Sequence, residues 1–327
     1  MPVGLWDGGH SHRTMAGSKS VVIAALVANA AIAVLKFFGY LVTGSPSMLS
    51  ETYHSISDTG NQVFLLIGIR YGAKDPDQRH PFGYGKAQFF YSFLVSVLLF
   101  GIAGWESAKH GYQAIVNPHP VESTAASLLG FTFPGVYVNY AVLVGAIVFE
   151  AYALRKAHAE MKRQMDRSEW GSLREAFTKT SDVTTLTALT EDTIAVSGAG
   201  LALLGVFLSR TTGNPVYDAT TSLLIGLLLM VFALALAWEN KRLLIGESLP
   251  SEDERPLRDL IRNAPGVAHV DDLRTVYFGP ERAILTADVS FGPEMDTEDI
   301  DDRISSIERE IMSTEPSIKR VYIEPEV

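Results

Sequence analysis

The hydrophobic pattern divides the first 250 residues into long apolar segments and short polar connections. Six segments come near the ~20 apolar residues that a helix needs to cross a bilayer. They are residues 20–42, 47–71, 87–112, 135–155, 183–208 and 216–239. Lys36 interrupts the first segment, which indicates a side chain that either snorkels to the interface or has a contact inside the protein. The pattern predicts a bundle of six transmembrane helices.

The basic residues predict the orientation of these segments. The connections after the second and fourth segments are rich in lysine and arginine, whereas residues 43–46 and 116–134 contain neither, and residues 209–215 contain only Arg210. Since basic connections stay on the cytoplasmic side, both termini are predicted to be cytoplasmic. The N-terminus lacks the pattern of a signal peptide, so we expect the first segment to be retained, in a cell inner (plasma) membrane.

The composition changes at residues 246–251. Residues 251–327 hold 19 acidic and 9 basic residues, whereas the preceding 250 hold 18 of each. This shift predicts a cytoplasmic N-terminal tail at 1–19, a transmembrane domain at 20–246 and an acidic cytoplasmic domain at 247–327. The chain has no cysteine, which excludes disulfides and thiolate metal sites.

The acidic domain has the pattern of a small α+β fold. Helical spacing at 250–263 is followed by two strand patterns, a second helix and a final strand, at 267–278, 282–291, 297–312 and 318–323. The order αββαβ predicts a ferredoxin-like sandwich. Its negative charge argues against nucleic-acid binding, because no basic stripe is present to meet phosphates.

Ionisable side chains lie inside two of the apolar segments. Glu51, His54 and Asp58 are spaced three and four residues apart, so they share one face of the second helix. The fifth segment, which runs the opposite way, carries Glu191 and Asp192 at a similar depth. Such groups are costly in a bilayer and commonly mark ion or proton paths. Imidazole and carboxylate ligands suit zinc and other divalent ions; the alternative is a hydrogen-bond network that holds the two helices together.

These motifs resemble those of the cation diffusion facilitator family of divalent-metal/proton antiporters. The stretch SPSMLSETYHSISDTGNQ is similar to the family's second helix with its HxxxD pair, and DPDQRHPFGYGKAQ is similar to the loop that follows. The stretches LTEDTIAVSG, GNPVYDATTSLLIG and NPHPVES are most similar to the branch that contains human zinc transporter nine. The resemblance implies a homodimer that exports zinc, or a similar dication, from the cytoplasm by alternating access. The acidic domain has only His269 as a nitrogen ligand, so we expect it to serve dimerisation rather than tight zinc binding.

The resemblance also implies the ligands of a metal site in the membrane. His54, Asp58 and Asp192 match ligands of the family, but Ala188 stands where most zinc-transporting members have a fourth. Either Glu191 or a water would complete the set, although Glu191 points about 100° away from Asp192 on an ideal helix. This departure weakens the expectation of strict zinc selectivity and leaves manganese, iron or cobalt as alternatives.

Five further residues carry expectations from the resemblance. Asp77 and His80 match two ligands of a second metal site that some members have in the loop after the second helix; the alternative is a capped, solvated loop. Lys86 and Asp218 match a charged pair that in relatives interlocks the third and sixth helices at the dimer contact; the alternative is that each caps a helix end. Glu51 is expected to support the ligands or to handle protons from outside the coordination sphere.

The expected mechanism is antiport. A dication from the cytoplasm displaces protons from the membrane site and protons displace it on the other side, because both compete for the same lone pairs. The stretch PFGYGKA does not complete a phosphate-binding loop, so we expect no nucleotide and no cofactor, and an ion gradient as the source of energy. The chain is predicted not to be an enzyme; the alternatives are an intramembrane metalloenzyme and a membrane regulator that does not transport.

Overall fold

The structure is a computed structural model, and it describes residues 11–118, 125–128, 131–180 and 182–326. The helices in this part of the chain are α1 (Ser11–Thr43), α2 (Pro46–Gly72), α3 (Lys86–Leu98), α4 (Trp105–Val116), α5 (Val136–Arg167), α6 (Leu173–Lys179), α7 (Val183–Thr212), α8 (Val216–Ile245), α9 (Ser251–Arg262) and α10 (Thr297–Thr314). A π-helical segment, Leu99–Gly104, joins α3 to α4. The strands are β1 (Ala125–Leu128), β2 (Phe131–Pro134), β3 (Val267–Gly279), β4 (Arg282–Phe291) and β5 (Ile318–Glu326).

Helices lie at all the predicted apolar segments. By length and composition, four of the described helical stretches can cross a membrane: Lys86–Val116, Val136–Arg167, Thr185–Thr212 and Val216–Ile245. The described apolar part of α1, Asn29–Thr43, is shorter, and α2 carries the polar residues noted above. Four membrane-capable helices are therefore established for the described residues.

Several elements differ from the predicted pattern. The predicted N-terminal tail 1–19 lies partly outside the described residues and stays a prediction; its described part, from Ser11, is helical. The basic connection after α5 contains α6, whose N-terminus is capped by Ser172, since its side chain accepts from the backbone N–H of Glu175 at 3.2 Å. The Glu175 carboxylate in turn accepts from the N–H of Gly171 at 2.8 Å, which completes a reciprocal cap.

The chain packs as two compact units. The first consists of Met1–Ile67, Ser92–Arg163 and Thr187–Ala237, and the second of Gly68–Tyr91, Gln164–Leu186 and Trp238–Val327. The second unit thus combines the acidic domain with one end each of α2, α3, α5, α7 and α8. These are the helix ends that the basic connections assign to the cytoplasmic side.

The acidic domain has the element order that the sequence predicts, α9–β3–β4–α10–β5. Its sheet has the order β3–β4–β5, with β3 antiparallel and β5 parallel to β4. Asp296 caps α10 by accepting from the N–H groups of Glu298 and Asp299, both at 2.9 Å, and these two acids also suit the positive end of the helix dipole. Phe89 of α3 and Leu243 of α8 join the hydrophobic core of this unit.

Candidate metal centre

One face of α2 is polar and buried over most of the helix. Its polar residues that are no more than 5% exposed are Ser47, Ser50, Glu51, Thr52, His54, Ser55, Ser57, Asp58 and Asn61. The face lies in the first unit, among apolar helices. Buried polar atoms need hydrogen-bond partners or a ligand, so the partners of these side chains decide what the face can do.

His54 and Asp58 lie side by side on this face. Their closest atoms, His54 Nδ1 and Asp58 Oδ1, are 3.4 Å apart. The His54 side chain is fully buried, and neither of its ring nitrogens has a hydrogen-bond partner in the described chain; the same holds for Asp58 Oδ1. Leaving such groups unmatched in a dry interior is costly, so the pair is suited to a ligand that takes lone pairs, such as a cation.

Of the two adjacent acids of α7, Glu191 contacts α2 and Asp192 lies nearer to α5. Asn61 Nδ2, one turn beyond Asp58 on α2, donates to Glu191 Oε1 at 2.7 Å. Asp192 is half-buried, and its main charged neighbour is Glu150 on α5. The two adjacent acids thus point to different neighbours, as their offset on a helix requires, and Glu191 is the one that reaches α2.

The predicted ligands of α2 and α7 do not come together around a single point. Among the residues that the structure describes, no three His, Asp or Glu side chains are close enough to hold a metal ion together. His54 and Asp58 are brought together and Glu191 is within electrostatic reach of Asp58, whereas Asp192 and Ala188 remain half-buried positions of α7. The full ligand set predicted from the sequence therefore stays a prediction.

Lys36 has an interior contact and does not snorkel. Its Nζ donates to Glu51 Oε2 at 2.7 Å and to Ser55 Oγ at 2.9 Å, and the side chains of Lys36 and Glu51 are both 0% exposed. The two bonds of Lys36 join α1 to α2 at Glu51 and Ser55, which precede and follow His54 in the sequence. Glu51 is therefore held by a lysine, which the sequence did not indicate.

Sequence reasoning missed Glu150 on α5. This side chain is buried, and it interacts electrostatically with Asp58, Asp192 and Lys36. It is a lone carboxylate in the apolar run AIVFEAYAL, which is the same signal that identified the acids of the second and fifth segments. The rule applied to those segments would have found it.

Asp77 and His80 form a capped loop in the second unit. Asp77 Oδ1 accepts from the backbone N–H groups of Arg79 and His80 at 2.9 and 2.7 Å, and Oδ2 accepts from the Tyr84 hydroxyl at 2.7 Å. The Tyr84 hydrogen bond, followed by those backbone bonds, lowers the pKa of Asp77 below its ordinary value. His80 Nδ1 lies 3.5 Å from Asp77 Oδ1, and both side chains are about half exposed. The carboxylate is already occupied, which favours the capped loop over a second metal site.

Lys86 and Asp218 each have a partner other than the predicted one. Lys86 Nζ reaches the backbone carbonyl of Leu244, near the C-terminal end of α8, at 3.5 Å. Asp218 lies in the first turn of the same helix, where it accepts from Ser45 Oγ at 2.6 Å and from Ser47 Oγ. The predicted interlock of Lys86 with Asp218 at a dimer contact stays a prediction. Within the chain, Asp218 joins the start of α8 to that of α2.

Two family models match this chain. The model of the cation efflux transmembrane domain matches residues 22–245, and the model of the cation efflux protein, cytoplasmic domain, matches residues 249–326. The first match ends at residue 245 and the second begins at residue 249. The matched family is one of transporters rather than enzymes, as the sequence predicts.

Named relatives agree with the family models. Over 275 residues the chain is 32% identical to "Proton-coupled zinc antiporter SLC30A9, mitochondrial" of Homo sapiens, which covers 84% of this chain and 46% of the relative. It is 27% identical over 278 residues to "Metal tolerance protein C4" of Arabidopsis thaliana, with 85% and 58% covered. It is also 27% identical over 265 residues to "Cation-efflux pump FieF" of Escherichia coli, with 80% and 77% covered. The chain spans about half the length of the SLC30A9 relative.

The family models cover nearly the whole chain and the membrane-capable helices lie within the first of them. The resemblance seen in the motifs of the second helix and the following loop is thereby confirmed. The chain is a multi-pass membrane protein that belongs to the cation efflux, or cation diffusion facilitator, family.

Proposed function

We propose that this chain carries zinc, or a similar divalent cation such as manganese, iron or cobalt, out of the cytoplasm in exchange for protons. The observation that carries the proposal is the buried pair His54 and Asp58, where two ring nitrogens and one carboxylate oxygen lack partners within a cation efflux domain. Imidazole and carboxylate together suit zinc and neighbouring divalent ions. The human and Escherichia coli relatives, by name a proton-coupled zinc antiporter and a cation-efflux pump, support the proposal.

The proposed mechanism uses the polar face of α2 as the cation site. His54 and Asp58 bind the cation, and Asp192 or Glu191 of α7 adds a carboxylate when the two helices close on it. Glu150 adds negative charge, which offsets the cost of bringing a dication into an apolar bundle. Protons compete with the metal for the same lone pairs, so rocking between inward-open and outward-open states exchanges one for the other. The metal is the cargo, and no resident cofactor is needed.

We propose the finer architecture on the same grounds. Helices lie at all six predicted segments, which supports six membrane spans, although the described apolar part of α1 is short and α2 carries buried polar residues. The order αββαβ, with β5 parallel to β4, fits a ferredoxin-like domain that lacks one strand. The match to the family's cytoplasmic domain, which is a dimerisation domain, supports the proposal that the chain forms a homodimer. We propose that the chain lies in a cell inner (plasma) membrane with both termini in the cytoplasm. The SLC30A9 relatives, by contrast, are named as mitochondrial proteins.

The test is a metal-jump experiment on the purified chain in proteoliposomes. Zinc, manganese, iron, cobalt and cadmium are added in turn at two pH gradients, and an enclosed metal-sensitive dye reports uptake. We expect uptake of zinc or another of these ions that grows with the gradient, and its loss in His54→Ala. No uptake of any of the five ions by folded protein would refute the proposal.

A further inference from the structure

Lys36 and Glu51 form a buried ion pair beside the proposed cation site. Their side chains are 0% exposed, and Nζ lies 2.7 Å from Oε2. Glu51 is three residues before His54 on α2, so the two share a helix face. A carboxylate that lies about one helical turn from an imidazole ligand, on the same face, is itself a potential metal ligand. Its engagement by a lysine therefore affects which ligands the cation meets.

The lysine ammonium is held by two side chains of α2. Besides Glu51, Nζ donates to Ser55 Oγ at 2.9 Å, which lies one turn further along α2. Since Lys36 is on α1, these two bonds fix the ammonium against α2 just beside His54. An ammonium has three donors and no lone pair, so it cannot bind a metal and it repels one.

The second carboxylate oxygen of Glu51 is left without a partner. Glu51 Oε1 is buried and accepts no hydrogen bond in the described chain. It lies against α7, because a Cβ built on Gly198 would be 2.5 Å from it. This oxygen is a buried lone-pair donor beside Gly198, and the other oxygen of the same carboxylate is bonded to Lys36.

We propose that Lys36 is a specificity-determining residue that keeps Glu51 out of the coordination sphere of the cation at His54 and Asp58. The inference rests on the proposed function. A site without the Glu51 oxygens offers few ligands, which suits the four-coordinate geometry of zinc. Manganese prefers six ligands, mostly oxygen, so it loses more than zinc when a carboxylate is withheld. The ion pair thus disfavours manganese relative to zinc.

The test is a competition titration of zinc against manganese on the full chain in detergent, measured as binding. In Lys36→Met, Glu51 is released and can turn toward the cation. We expect the ratio of manganese to zinc affinity to rise on the order of tenfold, the scale at which groups behind a ligand affect metal binding. Lys36→Arg keeps a cation and should stay near the wild-type ratio. In the double variant Lys36→Met with Glu51→Gln, the ratio should return toward the wild-type value, because the released carboxylate is gone.

An equal ratio in folded wild type, Lys36→Met and the double variant would overturn the inference. A raised ratio that persists in the double variant would also overturn it, since Lys36 would then act through its charge alone. If Lys36→Met fails to fold, the zinc affinities of the single variants Glu51→Gln and Asp58→Asn test the inference instead. Glu51→Gln should lower zinc affinity less than Asp58→Asn does, and an equal loss would identify Glu51 as a direct ligand. Wild type that binds no dication in a His54-dependent way would refute the proposed function, and this inference with it.

Discussion

The buried polar side chains of α2 have partners on two other helices: Lys36 of α1 donates to Glu51, and Asn61 donates to Glu191 of α7. Periodicity places Glu51, His54 and Asp58 on one face, and all three are buried there. Periodicity along one helix contains nothing about a neighbouring helix, so the bond from Lys36 to Glu51 could not be found in this way. Glu150 could have been found, because it interrupts an apolar run.

Ala188→His should tighten zinc binding at the membrane site and shift selectivity toward zinc. Position 188 is four residues before Asp192 on α7, so the two side chains share a face. An added imidazole would supply the fourth ligand of a tetrahedron, which zinc favours more than manganese does. Competition between zinc and manganese in wild type and variant measures the effect. An unchanged affinity ratio would mean that position 188 does not face the metal and that Glu191 or another helix completes the site.

Tyr84→Phe should raise the pKa of Asp77 toward its ordinary value, because the Tyr84 hydroxyl is the main group that lowers it. A lowered carboxyl pKa stabilises the loop above the ordinary pKa, and this contribution is lost as the pH falls through the lowered value. In the variant the loop should therefore loosen at a higher pH. An NMR titration of the Asp77 carboxyl carbon, with Tyr71→Phe as control, tests this. The same titration curve in Tyr84→Phe and wild type would contradict the assigned hydrogen bond.

Among the secondary-structure elements, the positions of the long helices and of α9, β3, β4, α10 and β5 could be predicted from hydrophobic periodicity and turn residues. The π-helical segment Leu99–Gly104, the helix α6 and the hairpin β1–β2 could not. The π-helical segment lies within an apolar run where α- and π-helical hydrogen bonding have the same composition. Asp218 accepts from Ser45 and Ser47, and Lys86 reaches the carbonyl of Leu244; these contacts could not be found from the matched motifs, which contain nothing about partners within one chain.

Gly198→Ala should destabilise the packing of α7 against α2. The added methyl would lie 2.5 Å from Glu51 Oε1, so the carboxylate must shift against its bond to Lys36, at a cost of about 1–3 kcal/mol. Gly200 on the same helix has nothing within 4 Å of an added Cβ, so Gly200→Ala is the matched control. It should be neutral or more stable by up to ~1 kcal/mol, because alanine favours helix. Thermal unfolding in detergent measures both. Equal midpoints in the two variants would contradict the close approach of Glu51 to α7.

At the level of the complete chain, we propose that zinc binds in the membrane domain and not in the acidic domain. The one histidine of the acidic domain, His269, is 70% exposed, and its nearest carboxylate oxygen, Asp271 Oδ1, is 3.8 Å away. Tight zinc sites need several nitrogen or sulfur ligands. His269→Ala should therefore leave the number of tightly bound zinc ions per chain unchanged, as measured by calorimetry on the full chain. Loss of a stoichiometric site in this variant would place zinc in the acidic domain.

Proton coupling at Asp58 is the central claim, and flux of both ions in one preparation tests it most directly. Purified chain in proteoliposomes is loaded with a pH-sensitive dye and a zinc-sensitive dye, and zinc is added outside. Wild type should move protons outward as zinc enters, at a fixed ratio, whereas Asp58→Ala should move neither while eluting as the same folded species. Zinc entry without proton movement in wild type, or near wild-type flux of both ions in Asp58→Ala, would contradict the account.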